Sequence, residues 1–469
     1  MREQIKALAR RSDSARALVR GLLGVRALWL AAWASRMSDP IERAGVTGYF
    51  GLEDIDEVSR VVFDEGTASP RFEPLRHAHM TLPDWFVEGL DPYSTEYASQ
   101  QVRLWQAIAG VDRPYEPEID EKEVPVDHAD PIRFPAYFMR RDADAVRSAS
   151  DHILAHGMIL KHSALKPGDC ALEYGAGFGQ IALSLARLGV DVHTVDISKT
   201  FCEFVRQQAE HFQVPLTPHH GFFGDNPMPD LRYQLIWFYE SFHHCLDWQR
   251  LLARLKDMLA PGGRVLLCGE PMAVRQYAAV PYPWGVRLHS EVVATIRRFR
   301  WFELGFTEDF LFEIFHRAGF SIVRHDCEPS LWGRTYVAEP LPTELHLGQM
   351  WLPPELSERE WHAAEPDGRW TRGDARLWIR RDVAVDRVEL DLANPCSKAI
   401  DLTIECGAFV DQTTLRPGGR LTVVIPKPSG ALVQLRCAAR RPLRKLRSLL
   451  GGSDERQVGV FVRRLRYVS

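Results

Sequence analysis

The chain has 469 residues, 45% hydrophobic and 26% charged, with a formal net charge of −4. That is enough for two to four domains of ordinary globular composition, and it carries no global positive charge of the kind a nucleic-acid-binding protein needs. None of the eight cysteines forms a C-x-x-C, so the expectation is reduced, mostly buried thiols in a cytoplasmic protein, with neither a disulfide framework nor a zinc site.

Residues 1–135 read as a mostly helical N-terminal cap region. Up to about residue 38 the chain reads as a basic helix, with Leu18, Leu22, Val25, Trp29 and Ala32 on one face. Two readings stay open for it. It packs on its own protein or a partner, or it lies peripherally on the anionic inner membrane surface. Its most apolar run, ALWLAAWAS, is far short of the ~20 residues that span a bilayer. Further on, Ser94 can cap a helix whose Tyr97, Gln101, Leu104 and Ile108 share a face. The acidic, proline-bearing stretch 116–131 reads as a surface linker.

Residues 136–340 alternate helix and strand, which predicts a parallel sheet covered on both faces. The central stretch is ALEYGAGFGQIALSLARLGVDVHTVDIS, 171–198. It reads as strand, glycine turn, helix and a second strand ending at Asp196. Glycines let the backbone approach a ligand, the helix start offers free N–H groups, and a carboxylate about 20 residues on can hold ribose hydroxyls. The turn reads E-x-G-x-G-x-G, with Gln180 where a dinucleotide-binding turn needs glycine. This resembles motif I of the class I S-adenosylmethionine (SAM)-dependent methyltransferases. The resemblance covers about 200 residues and includes the L-x-P-G-G-R-V-L-L turn and the F-H-H after the fourth strand. It implies a Rossmann-like α/β sheet and SAM as cofactor. Glu173, Gly175, Gly177 and Gly179 would surround its methionine end, Asp196 would hold the ribose, and Asp225 would contact the adenine.

The stretch YESFHHCLDW leaves the fourth strand at the edge where open α/β sheets bind ligands. Glu240, His243, His244 and Asp247 are therefore candidates to take a proton from an acceptor. His243 is favoured, with Glu240 as its orienting partner, because a neutral imidazole suits that task near pH 7. His289, in an insertion over 271–306, is the reserve. A metal held by His243 with Asp225 or Glu240 has no supporting ligand spacing, and none is expected.

Residues 355–469 switch to period-2 alternation, as in Val388/Leu390/Leu392 and Leu402/Ile404/Cys406, which predicts an antiparallel β-sandwich. A parity change after Val462 predicts a bulge near Arg463 or Arg464. The pieces EPDGRWTRGDARLWI (365–379) and SDERQVGVFVRRLR (453–466) resemble β-sandwich modules on bacterial enzymes of cell-surface polysaccharide biosynthesis. The basic run Arg436 to Arg447 fits a solvated loop or a contact to an anionic lipid or glycan. Together these imply a methyltransferase acting on a small-molecule or glycan acceptor, with O-methylation of a sugar favoured. A lipid or secondary-metabolite acceptor, or a non-catalytic SAM-binding scaffold with a carbohydrate-binding sandwich, are the alternatives. The oligomeric state is left open.

Overall fold

The computed structural model describes residues 48–66, 68–121, 132–273, 280–281, 283–342, 344–348, 360–379, 386–428, 432–437, 441–442 and 457–468. The basic N-terminal helix and most of the run 436–447 lie outside these residues.

The centre is a seven-stranded sheet. Its strands are β1 (Cys170–Tyr174), β2 (Asp191–Asp196), β3 (Leu216–His220), β4 (Tyr233–Tyr239), β5 (Leu259–Cys268), β6 (Phe320–His325) and β7 (Thr335–Pro340). Their spatial order is β6-β7-β5-β4-β1-β2-β3. The apolar runs LIWF in β4 and VLLC in β5 are buried on both faces, as central strands of a covered sheet must be. Helices α1 (Ala145–His162), α2 (Gln180–Arg187) and α3 (Lys199–Phe212) pack on one face through Ile159, Ile181 and Val205. Helices α4 (Trp248–Met258) and α5 (Glu308–Arg317) cover the other through Leu252, Leu255 and Phe315.

One expectation is corrected here. The sheet is not wholly parallel, because β7 runs antiparallel between β5 and β6. Residues 326–334 are too few for a helical crossover, so the chain folds straight back. Helix α4 ends at Met258. The Pro261-Gly262-Gly263 turn sits inside β5, where the register against β4 shifts between Tyr233 and Leu235. A Cβ on Gly263 would meet the Tyr233 carbonyl at 2.6 Å.

The N-terminal region contains the expected helix, Thr95–Ala109. Ser94 Oγ accepts the Tyr97 N–H, and Tyr97, Gln101, Leu104, Trp105 and Ile108 are buried. It also has a short parallel strand pair, Gly48–Phe50 with Ala78–Met80. This region is joined to the insertion. Tyr97 Oη donates to the Pro281 carbonyl at 3.0 Å, Trp105 Nε1 to Arg300 O at 2.9 Å, and Gln101 Oε1 accepts from Val286 N at 3.1 Å. The insertion forms a three-stranded sheet of Met272–Ala273, Trp284–Val286 and Leu304–Thr307, with the helix Ser290–Phe299.

Among the described residues, a five-stranded and a four-stranded antiparallel sheet of the C-terminal region enclose a second core of Val388, Leu390, Leu402, Ile404, Val433 and Leu465. The bulge falls where parity predicts it. Asp391 pairs with Arg464 and Leu392 with Val462, leaving Arg463 as the extra residue. The strand Glu344–His346 pairs with Phe461–Val468, and Leu341, Leu345 and Leu347 join this core. The sandwich sheet therefore begins before residue 355. Its contact with the seven-stranded sheet's layer includes His316 Nε2 against the Trp378 carbonyl, 3.1 Å apart.

Candidate active site

A cavity of about 620 Å³ opens at the C-terminal ends of β1, β2 and β4, where an open α/β sheet binds ligands. Its floor is the glycine turn. Gly175, Gly177 and Gly179 have φ of +68°, +51° and +64°, a region that favours glycine. A Cβ on Gly179 would collide with Val205 Cγ2 at 2.7 Å, whereas one on Gly177 would meet nothing within 4 Å. Gly179 is thus required by packing, and Gly177 keeps open the space above the turn.

Asp196, at the end of β2, lines this cavity. Its carboxylate accepts the Gly177 N–H at 2.9 Å and the Ser198 N–H at 2.8 Å. These two backbone donors fix the carboxylate at the cavity edge. Glu173 lies beneath the turn, not in the cavity. It is 2% exposed, and Oε1 accepts the Trp237 indole N–H at 2.8 Å. Burial, reinforced by Asp196, pushes its pKa up to about 8. Asp225, expected at the adenine, also stays behind the wall. Its Oδ2 accepts the Phe222 N–H at 2.9 Å, and the neighbouring Gly221, Phe222 and Phe223 line the cavity instead.

The residues after β4 divide in an unexpected way. His243 is buried behind the cavity wall. Its Nδ1 lies 2.8 Å from Glu270 Oε2, and Glu270 also accepts the N–H groups of Ser241, Phe242 and His243. Burial and the adjacent His244 hold the His243 pKa below its ordinary value. Its orienting carboxylate is Glu270, not Glu240. His244 does line the cavity, with Nδ1 3.4 Å from Glu121 Oε2. Burial alone would lower its pKa, but Glu121 and Glu303 outweigh that and raise it to about 9. His244 is therefore an imidazolium at neutral pH, with no lone pair for an incoming proton.

Glu240 meets both requirements that the histidines split between them. It lines the cavity beside Gly175 and Ser241. Partial burial, with Glu270 nearby, raises its pKa to about 7. Its backbone has φ +49°, an uncommon conformation for a non-glycine residue. On its far side His152 Nδ1 approaches Glu240 Oε2 at 3.7 Å and the Tyr239 hydroxyl at 2.6 Å.

His289 is not at the site. It occupies the N-cap position of the helix Ser290–Phe299 and packs edge-on against His79, ring centroids 4.5 Å apart. Burial and His79 push its pKa down to about 3. Its place in the insertion faces the N-terminal region rather than the sheet edge.

The sequence reading missed the other side of the cavity. Tyr115, Pro117, Glu118 and Glu121 line it, together with Trp301 from the insertion. The stretch beginning at 116 is thus not a surface linker as far as residue 121. Asp120 is fully buried against Arg113 Nη1, 2.7 Å away. Glu121 Oε1 accepts from Tyr115 Oη at 2.7 Å and Phe302 N at 2.8 Å. Glu270 carried a legible signal, since it follows β5 at the same sheet edge as Glu240 follows β4.

Among the described residues, His243, His244 and Glu303 have atoms close enough to share a metal ion. Glu303 is already ion-paired with Arg287, however, which supplies the positive charge. The pairing of His243 with Asp225 or Glu240 is not made.

The family profile described as "Methyltransferase domain" matches residues 172–267. Dimethylglycine N-methyltransferase from Parasynechococcus marenigrum is 29% identical over 28% of this chain and 47% of its own length. 27-O-demethylrifamycin SV methyltransferase from Amycolatopsis mediterranei is 27% identical over 28% of this chain and 47% of its length. The chain spans about half the length of these curated relatives. The CcbJ methyltransferase structure from Streptomyces caelestis is 18% identical, covering 41% of this chain and 90% of that one, with a TM-score of 0.32. The matching profile implies SAM, and the residues present fit it. Asp196 suits a ribose, Gly177 leaves room for a close approach, and Phe201, Phe222 and Phe223 offer apolar walls.

Proposed function

We propose that the protein is a SAM-dependent methyltransferase whose acceptor is a small molecule, with Glu240 as the base. The observation that carries the reading is the shared cavity. Asp196 and Glu240 line it from the ends of β2 and β4, with Gly175 and Gly177 between them. SAM would supply the electrophilic methyl group. The chain's own residues do the rest: Asp196 and the glycine turn hold the cofactor, and the cavity aligns the acceptor at short range. Glu240 takes the acceptor proton. The acidic lining of Glu118, Glu121 and Asp247 favours acceptors rich in hydroxyl or amine donors.

A sugar or glycan hydroxyl is one such acceptor, and that reading rests on the C-terminal sandwich. The methyltransferases that match this chain carry acceptors of other kinds in their names, a glycine derivative and a rifamycin. Sugar nucleotides, amines and phenols therefore belong in one assay with methyl-labelled SAM. The expected outcome is label transfer to one class. Glu240→Gln should lower the single-turnover rate by 10²–10⁴-fold, the usual cost of losing a general base, with SAM affinity retained. Transfer at the wild-type rate by Glu240→Gln contradicts the assignment of the base.

A further inference from the structure

At the opposite end of the same strands from the cavity lies a second cluster of chemically active side chains. The parallel register sets Cys170, the first residue of β1, directly across from Asp191, the first residue of β2. His193 follows two residues later and points to the same face as Asp191. Strand pairing thus gathers three groups that sequence spacing keeps apart. The Cys170 Sγ, an Asp191 carboxylate oxygen and a His193 ring nitrogen all lie within 4.8 Å of one another.

The ring of His193 shows which way the group is directed. The residue is 5% exposed, and its Nε2 is buried with no hydrogen-bond partner. The nearest carboxylate oxygen, Asp191 Oδ2, is 3.8 Å away, too far for a hydrogen bond. The other ring nitrogen is occupied, because Nδ1 lies 3.1 Å from His219 Nε2 on β3. If Nδ1 donates to His219, Nε2 presents its lone pair to the thiol and the carboxylate. A metal-ligating histidine characteristically has its second nitrogen held in this way.

We propose that Cys170, Asp191 and His193 bind a divalent transition metal, zinc foremost, with His219 orienting the imidazole. Sulfur, nitrogen and oxygen donors in one set suit zinc, which takes them at about 2.0–2.3 Å in a tetrahedron. Nitrogen and oxygen ligands on a tetrahedral ion lie roughly 3.4 Å apart, so from 3.8 Å the exposed Asp191 carboxylate needs to close by only a few tenths of an ångström. Three protein ligands leave a fourth position, and Asp191, 52% exposed at its side chain, gives the ion access from solvent. The ion would tie β1 to β2 below Glu173 and Asp196. The proposal is independent of the methyl-transfer reading.

Cobalt titration of the metal-free, full-length protein tests it. The expected result is one cobalt per chain with a thiolate-to-metal charge-transfer band, displaced by zinc, and a higher melting temperature with zinc bound. Cys170→Ser and His193→Gln should abolish the band. His219→Gln should weaken affinity 10–100-fold, the usual cost of losing an orienting partner. Cys437→Ser, in the sandwich, should leave the band unchanged. A folded wild-type protein with no band at equimolar cobalt, or an unaltered band in Cys170→Ser, overturns the proposal. Asp191→Asn, at a half-exposed position, keeps the test decisive if the buried variants do not fold. Cobalt affinity should fall at least tenfold, and unchanged affinity also overturns it.

Discussion

Glu240 leaves β4 with a left-handed backbone and a carboxyl whose pKa sits near 7. Its role as base has a definite pH signature. The carboxylate form accepts the proton, so the single-turnover rate should rise with pH through about 7 and level off above it. A histidine base at His243 would titrate lower, because burial depresses that group. Glu173 makes a separate prediction about stability. Its pKa is about 8 in the folded chain against an ordinary 4.5, so the fold favours the neutral acid. The unfolded chain ionises first as pH rises, and the folded state therefore loses stability between about 4.5 and 8. Glu173→Gln keeps an acceptor for Trp237 but cannot ionise. Its melting temperature relative to wild type should increase from pH 5 to pH 8, and a pH-independent difference would show that Glu173 is already ionised in the folded protein. The motif residues were readable because a glycine turn and a following acid have fixed spacing. The division of labour between His243, His244 and Glu240 was not, since it depends on Glu121, Glu270 and Glu303 arriving from distant segments.

The turn from β1 into α2 separates packing from binding within one element. Gly179→Ala forces a positive φ on alanine and drives its Cβ into Val205. It should lower stability by roughly 1–3 kcal/mol, the range for a strained backbone position. Gly177→Ala carries the same kind of backbone strain but points its methyl into open space. Thermal melting and calorimetry on both variants should show the greater stability loss for Gly179→Ala. The greater loss of SAM affinity, relative to stability, should come from Gly177→Ala. The reverse pattern would mean that the turn does not face the cofactor. Alternation of apolar runs with helices made six of the seven strands legible as parallel elements. The direction of β7 was not legible from its own residues, because it is fixed by the short connection from β6.

At the scale of the whole molecule, period-2 alternation exposed the sandwich but misplaced its start. Glu344–His346 is only a three-residue strand, too short to show alternation. A fragment of 341–469 should melt cooperatively. A fragment of 355–469 should be less stable, since it lacks the buried Leu341, Leu345 and Leu347, each worth roughly 1.5–3 kcal/mol when fully buried. Equal melting temperatures would show that this strand adds nothing to the sandwich. The cap was hidden for a related reason. The acidic residues from 116 to 121 look solvated in sequence, and only the fold brings Arg113, Tyr115 and Phe302 against them.

The central claim is that the cavity between β1, β2 and β4 holds SAM through Asp196, and titration calorimetry tests it most directly. The full-length protein should bind SAM and S-adenosylhomocysteine at one site per chain. Asp196→Ala should weaken that binding by about 10–100-fold, in line with roughly 1–3 kcal/mol for unpaired polar groups, while remaining folded. No binding by the folded wild-type protein, or undiminished binding by a folded Asp196→Ala, would contradict the account.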